Sequence, residues 1–275
     1  MHIFHRGCMD FWDPALITPL TRRRTVILFD QAGVGASSGS VPTTFRGWAD
    51  DVKSFCNCLD LSRIDLLGFS MGGCAAQMVA LTYPNLVRRL ILCGTGPSEP
   101  DPHLSDLHGI VWPRERPPQP PIRHLASAVQ DDPQQIFHAL QQSFFPSIPQ
   151  GQAACDAYWK RIVEQYRQNH SVAATPTFLS HPPSKRQRSA YAHWSKPNPE
   201  NSFDRLHELR MPVLVMNGAD DLLIPTSQSW ELARRIEDAK LVLYPSTGHG
   251  FLFQLPDQVA EEINKFLDDK LNAKL

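Results

Sequence analysis

A chain of 275 residues with 42% hydrophobic and 20% charged positions is long enough to bury a full-sized core, and its ordinary composition excludes disordered and fibrous classes. Its 27 Lys and Arg offset 28 Asp and Glu to a formal charge of -1, which removes the global basic field that binding to nucleic acid or anionic lipid would use. No apolar run approaches the roughly 20 residues of a membrane span, and the six cysteines show neither a C-x-x-C pair nor metal-ligand spacing, so we expect reduced thiols, a soluble intracellular protein and neither metal nor cofactor.

The opening run Met1-His2-Ile3-Phe4-His5 reads as the tail of a strand, so the domain is expected to lack its first N-terminal strands and to expose a sheet edge. Three continuous apolar runs follow, Thr25 to Phe29, Ile64 to Leu67 and Leu90 to Leu92, a pattern that suits buried parallel strands. Helical spacing over Phe45 to Leu59 and over Cys74 to Tyr83, the latter closed by Pro84, completes a βαβα order. From 97 to 204 the pattern changes to proline-rich loops, such as Arg114 to Pro121, broken by aromatic-bearing helical pieces around Phe137, Tyr158 and Tyr166. This stretch is expected to form a helical lid inserted into a core made of 1–96 and 205–275. Its aromatics are expected mainly to pack the insert onto the core, with a share left to line an acyl pocket. The basic cluster Ser184 to Arg188 within it reads as solvated surface. The sheet pattern resumes at Val213 to Met216 and Leu241 to Tyr244, around a helix at Ser227 to Glu237, and an amphipathic helix at Gln258 to Leu271 follows.

Gly68-Phe69-Ser70-Met71-Gly72 lies between an apolar strand and a helix, the setting in which a serine on a tight turn projects its hydroxyl. Such a hydroxyl is a weak nucleophile near neutral pH and needs a base, which His249 in Thr247-Gly248-His249-Gly250 can supply just after the last strand. An imidazole that becomes charged needs a carboxylate, and Asp220 and Asp221 follow the preceding strand, with Asp221 preferred. The N–H of Met71, at the start of the following helix, can face a developing oxyanion. Glu99 and Asp101, after Leu90 to Leu92, are a further acidic pair near a strand end.

Together these residues resemble the α/β-hydrolase superfamily. Phe29 to Ser37 is similar to its D-x-x-G-x-G-x-S turn, and Gly218 to Pro225 is similar to its G-x-x-D-x-x-x-P acid loop, which places the acid on Asp221. The resemblance implies an α/β fold with a mostly parallel sheet, flanking helices and a helical lid. It implies a triad of Ser70, Asp221 and His249 with an oxyanion hole at Met71 and a second donor in Phe4-His5-Arg6-Gly7-Cys8. That segment departs from the family's H-G pattern, and Arg6 is preferred there over Gly7. The implied activity is serine hydrolysis of an ester or thioester with a small to medium apolar acyl group. A non-catalytic ligand-binding protein on the same fold is the alternative.

The C-terminal Ala273-Lys274-Leu275 is similar to the peroxisomal address S-K-L, so a peroxisomal import receptor is an expected partner and the peroxisome the expected compartment, with the cytoplasm as alternative. Taken with the fold, this resembles fungal peroxisomal α/β-hydrolases, including those of polyketide-type toxin pathways.

Overall fold

The computed structural model describes residues 5–99, 122–170 and 174–269. Strands β1 (Ile64–Phe69), β2 (Val87–Cys93), β3 (Val213–Gly218) and β4 (Ala239–Tyr244) pair in parallel in the order β1-β2-β3-β4. The register sets Phe69 opposite Cys93, Cys93 opposite Met216 and Gly218 opposite Tyr244, so the C-terminal strand ends lie along one margin of the sheet. β3 is buried throughout and β2 almost so, which is why both read as continuous apolar runs rather than alternating ones. β4 is the partly exposed edge, and its Lys240 pairs with Glu262 at 2.6 Å.

The helices follow from local chemistry. α1 (Pro14–Thr21) begins with proline at its first position, and the Asp13 side chain accepts the Ala15 N–H as a cap. α2 (Phe45–Cys58) is capped by Thr44 and buries Phe45, Trp48, Ala49, Val52 and Cys56, a stripe with helical spacing. α3 (Met71–Thr82) is apolar on all sides because it lies inside the molecule, packed on β1, β2 and α2. α8 (Thr226–Arg235) connects β3 to β4, and α9 (Phe251–Gln254) leads into α10 (Pro256–Asp268), which packs along α1.

Between β2 and β3 the described residues carry α4 (Ile122–Ser127), α5 (Pro133–Phe144), α6 (Pro149–His170) and α7 (His181–Trp194). Polar bonds seat this insert. Arg161 on α6 donates to the fully buried Asp13 carboxylate at 2.9 and 2.6 Å, and Tyr158 donates its hydroxyl to Phe11 O at 2.9 Å. The basic cluster belongs to α7, where Arg186 donates to Val41 O and Gln187 accepts from Arg6; two of its residues therefore hold the insert rather than face water.

Thr25 to Phe29, expected as a strand, forms none. A cavity of about 460 Å³ separates it from β1, lined from one side by Val26, Leu28 and Phe29 and from the other by Ile64, Leu66 and Leu67. An apolar run marks the capacity to be buried, but a strand also needs a neighbour within ladder distance, about 4.8 Å. Ile27 stays 43% exposed as a result. Met1 to Phe4, Asp101, Arg114 to Pro121 and the tail Ala273 to Leu275 lie outside the described residues.

Candidate active site

Ser70 sits between the end of β1 and the start of α3 with φ 56° and ψ -123°, a conformation that costs a non-glycine residue roughly 1–3 kcal/mol. Its N–H donates to Cys93 O at 2.9 Å and its carbonyl accepts from Gly73 N at 2.8 Å, so the strained turn is held from both sides. Gly68 is required by space, because a Cβ there would lie 2.3 Å from Gly72 O. Met71 is the first residue of α3, so its N–H has no acceptor within the helix and is available beside the serine.

Asp221 and His249 are brought together from adjacent strand ends. Asp221 is fully buried; its Oδ1 accepts the N–H groups of Leu223 and Ile224 at 2.8 and 2.9 Å, and its Oδ2 accepts from His249 Nδ1 at 2.7 Å. Three hydrogen bonds satisfy the carboxylate and orient the ring. Asp220, the neighbouring candidate, is exposed and contributes its backbone N–H to Thr247 O. The His249 ring, 1% exposed, packs against Phe69 and Phe144 at centroid distances of 4.8 and 5.0 Å. Gly94 adopts φ +51°, and a Cβ on it would reach the ring at 3.3 Å. With Nδ1 donating to the carboxylate, Nε2 is the basic nitrogen, and it has no hydrogen-bond partner. The imidazole thus packs on Phe69, the residue before Ser70, and no hydrogen bond joins the Ser70 hydroxyl to Nε2.

Arg6 does not provide the expected second donor in this arrangement. Its N–H donates to Gln187 Oε1 at 2.9 Å, while its guanidinium donates to Leu125 O at 3.0 Å and Ala128 O at 2.7 Å. At φ 69° and stacked 5.1 Å from the Phe178 ring, Arg6 ties the N-terminal loop to the insert. Neither it nor Gly7 lines the cavity on Ser70.

That cavity holds about 110 Å³ between Met71, the 96–99 loop, the end of α7 and the segment around Leu223 to Gln228. Tyr191 and Trp194 on α7 and Gln228 on α8 are lining residues with no motif to reveal them, because α7 and α8 meet at the site only through tertiary packing. The Cys74 thiol lies 3.9 Å from Ser70 O; burial pushes its pKa up to about 12, so it stays protonated and is no rival nucleophile. Tyr191 is 39% exposed as a residue, and desolvation of its hydroxyl first, then nearby negative charge, raises its pKa above the ordinary tyrosine value. No group of three metal-ligating side chains occurs among the described residues, and none of their helices is long and apolar enough to cross a membrane.

The sequence model of the family described as alpha/beta hydrolase fold matches residues 6–256. Relatives include RutD of Caulobacter sp. (strain K31), which carries the provisional name of a carbamate hydrolase. It is 27% identical over 263 residues, covering 95% of this chain and 87% of its own. The 2-hydroxy-6-oxo-2,4-heptadienoate hydrolase of Pseudomonas putida (strain ATCC 700007) is 26% identical over 259 residues, covering 90% and 80% respectively. Among solved structures, an alpha/beta hydrolase fold protein from Chitinophaga pinensis superposes with a TM-score of 0.79 at 27% identity, covering 98% of this chain and 88% of that one.

Proposed function

Because this chain belongs to the alpha/beta hydrolase fold family, we propose that it is a serine hydrolase that cleaves an ester or thioester through an acyl-enzyme on Ser70. The observation that carries this reading is the buried hydrogen bond from His249 Nδ1 to Asp221 Oδ2, 2.7 Å long, beside a serine held in a left-handed turn. Ser70 Oγ bonds to the carbonyl carbon as its proton passes to His249 Nε2, and the carbonyl π electrons become an oxyanion facing the Met71 N–H. Collapse breaks the bond to the leaving group, which takes the proton from Nε2. Water then attacks the acyl carbon, gives a proton to Nε2, and Ser70 leaves with that proton. Asp221 stabilises the imidazolium in both halves.

The insert carrying α4 to α7 supplies the lid of this reading through the end of α7, whose Tyr191 and Trp194 line the cavity on Ser70. Hydrolysis of p-nitrophenyl acetate by the wild type, lost in Ser70→Ala with the melting temperature retained, tests the reading; Ser70→Ala with wild-type turnover would reject it. The binding-protein alternative draws on the unmade bond between Ser70 and His249 and on the engaged Arg6 N–H. It predicts a folded wild type with no turnover of any ester. The Ala273-Lys274-Leu275 tail supports a peroxisomal address read by an import receptor. A fluorescent fusion ending in this tripeptide should form peroxisomal puncta and become diffuse when Leu275 is removed; puncta unaffected by the deletion would refute the address.

A further inference from the structure

The cavity on Ser70 has a size and a polarity that together define an acyl group. Its volume among the described residues is about 110 Å³, well below the roughly 300 Å³ at which pockets for larger ligands begin. That volume suits a short substituent beside the serine.

The lining is polar and acidic. Glu99, an exposed residue, is the one charged side chain among the described lining residues. Tyr191, Ser195 and Gln228 add hydrogen-bonding atoms, and Tyr191 lines the same cavity as Glu99. The other strong donor, Trp194 Nε1, is already engaged with Pro97 O at 3.0 Å. The 96–99 loop and α7 are fixed against each other, because Glu99 N also donates to Trp194 O at 3.0 Å. Glu99 and Tyr191 are thus presented from two clamped elements to one small space. A substrate N–H or ammonium would find a carboxylate acceptor there, whereas a substrate carboxylate would meet a like charge with no cation among the described lining residues to offset it.

Resting on the serine-hydrolase reading, we infer that this site selects short acyl groups carrying a hydrogen-bond-donating nitrogen, received by Glu99 and Tyr191, in place of the apolar acyl chain expected from the sequence. Three methyl esters of nearly equal size separate the chemistries: 3-aminopropanoate ends in an ammonium, butanoate in a methyl group, and monomethyl malonate in a carboxylate. The wild type should favour methyl 3-aminopropanoate over methyl butanoate by about tenfold in kcat/KM, with monomethyl malonate the poorest, as one charge-assisted hydrogen bond implies. In Glu99→Gln the ratio of the first two should fall to about threefold or less, and Tyr191→Phe should lower the same ratio. A wild type that prefers methyl butanoate or the malonate, or an unchanged ratio in Glu99→Gln, overturns the inference. Fluorophosphonate labelling run in parallel separates the two levels. Labelled Ser70 without the nitrogen preference defeats this inference alone, whereas unlabelled, folded wild type removes the serine reading and this inference with it.

Discussion

Replacing Asp221 by Asn probes the geometry at its most constrained point. The wild-type carboxylate has two oxygens facing three donors: Oδ1 accepts from Leu223 N and Ile224 N, and Oδ2 accepts from His249 Nδ1. An amide has a single acceptor oxygen. If that oxygen stays on the two backbone N–H groups, the amide NH₂ faces His249 and forces the tautomer with its proton on Nε2, which leaves no base for Ser70. If the amide flips, its NH₂ is driven against two N–H donors inside a fully buried site. The first arrangement loses less, so the variant should fold and hold the wrong tautomer. Loss of the correct tautomer and of the charge that stabilises imidazolium corresponds to about 10⁴-fold in kcat, or about 5 kcal/mol of barrier. The assay is kcat and KM on p-nitrophenyl acetate, with thermal melting to verify folding and Asp220→Asn as a control, since Asp220 is exposed and makes no side-chain bond to His249. A folded Asp221→Asn enzyme within tenfold of wild-type kcat would refute the reasoning, as would a comparable loss in Asp220→Asn.

Three further outcomes follow from other parts of the structure. Gly94→Ala places a Cβ at φ +51°, 3.0 Å from the Phe69 ring and 3.3 Å from His249, and should lower stability by about 1–3 kcal/mol in urea titration while reducing kcat. Arg161→Met keeps the side-chain stem but strips the fully buried Asp13 of its ion pair, and should cost roughly 2–4 kcal/mol with an unchanged denaturant slope. His5 is buried beside Arg6 and Arg188, and burial first, then those charges, lowers its pKa from 6.5 to about 4. The unfolded chain therefore binds this proton at a higher pH than the folded one. Stability is complete above pH 6.5 and declines as pH falls toward 4, by up to roughly 3 kcal/mol. His5→Gln should flatten that decline when unfolding is compared at pH 7 and pH 4.5; an equal decline in both proteins would contradict it.

What could be read from the sequence was what is encoded locally. The strand cores at Ile64, Leu90, Val213 and Leu241 carry their own apolar signal, and Ser70, Asp221 and His249 each sit in a short glycine-bearing turn directly after a strand. Thr25 to Phe29 carries the same apolar signal without becoming a strand, because pairing depends on a neighbour and the run cannot specify one. The remaining site chemistry is tertiary. Gln187 takes the Arg6 N–H from 181 residues away, and Arg161 reaches Asp13 across 148. Tyr191 and Glu99 meet at the cavity only because α7 docks on the loop after β2. No window of sequence contains both members of any of these pairs.

The central claim, that Ser70 is activated by His249, is tested most directly by mapping the residue labelled by a fluorophosphonate on the purified wild type, with Ser70→Ala and His249→Ala as controls. The account predicts a single modified peptide carrying Ser70, with labelling lost in both variants. Folded wild-type protein that remains unlabelled, or labelling of equal rate in His249→Ala, would contradict it.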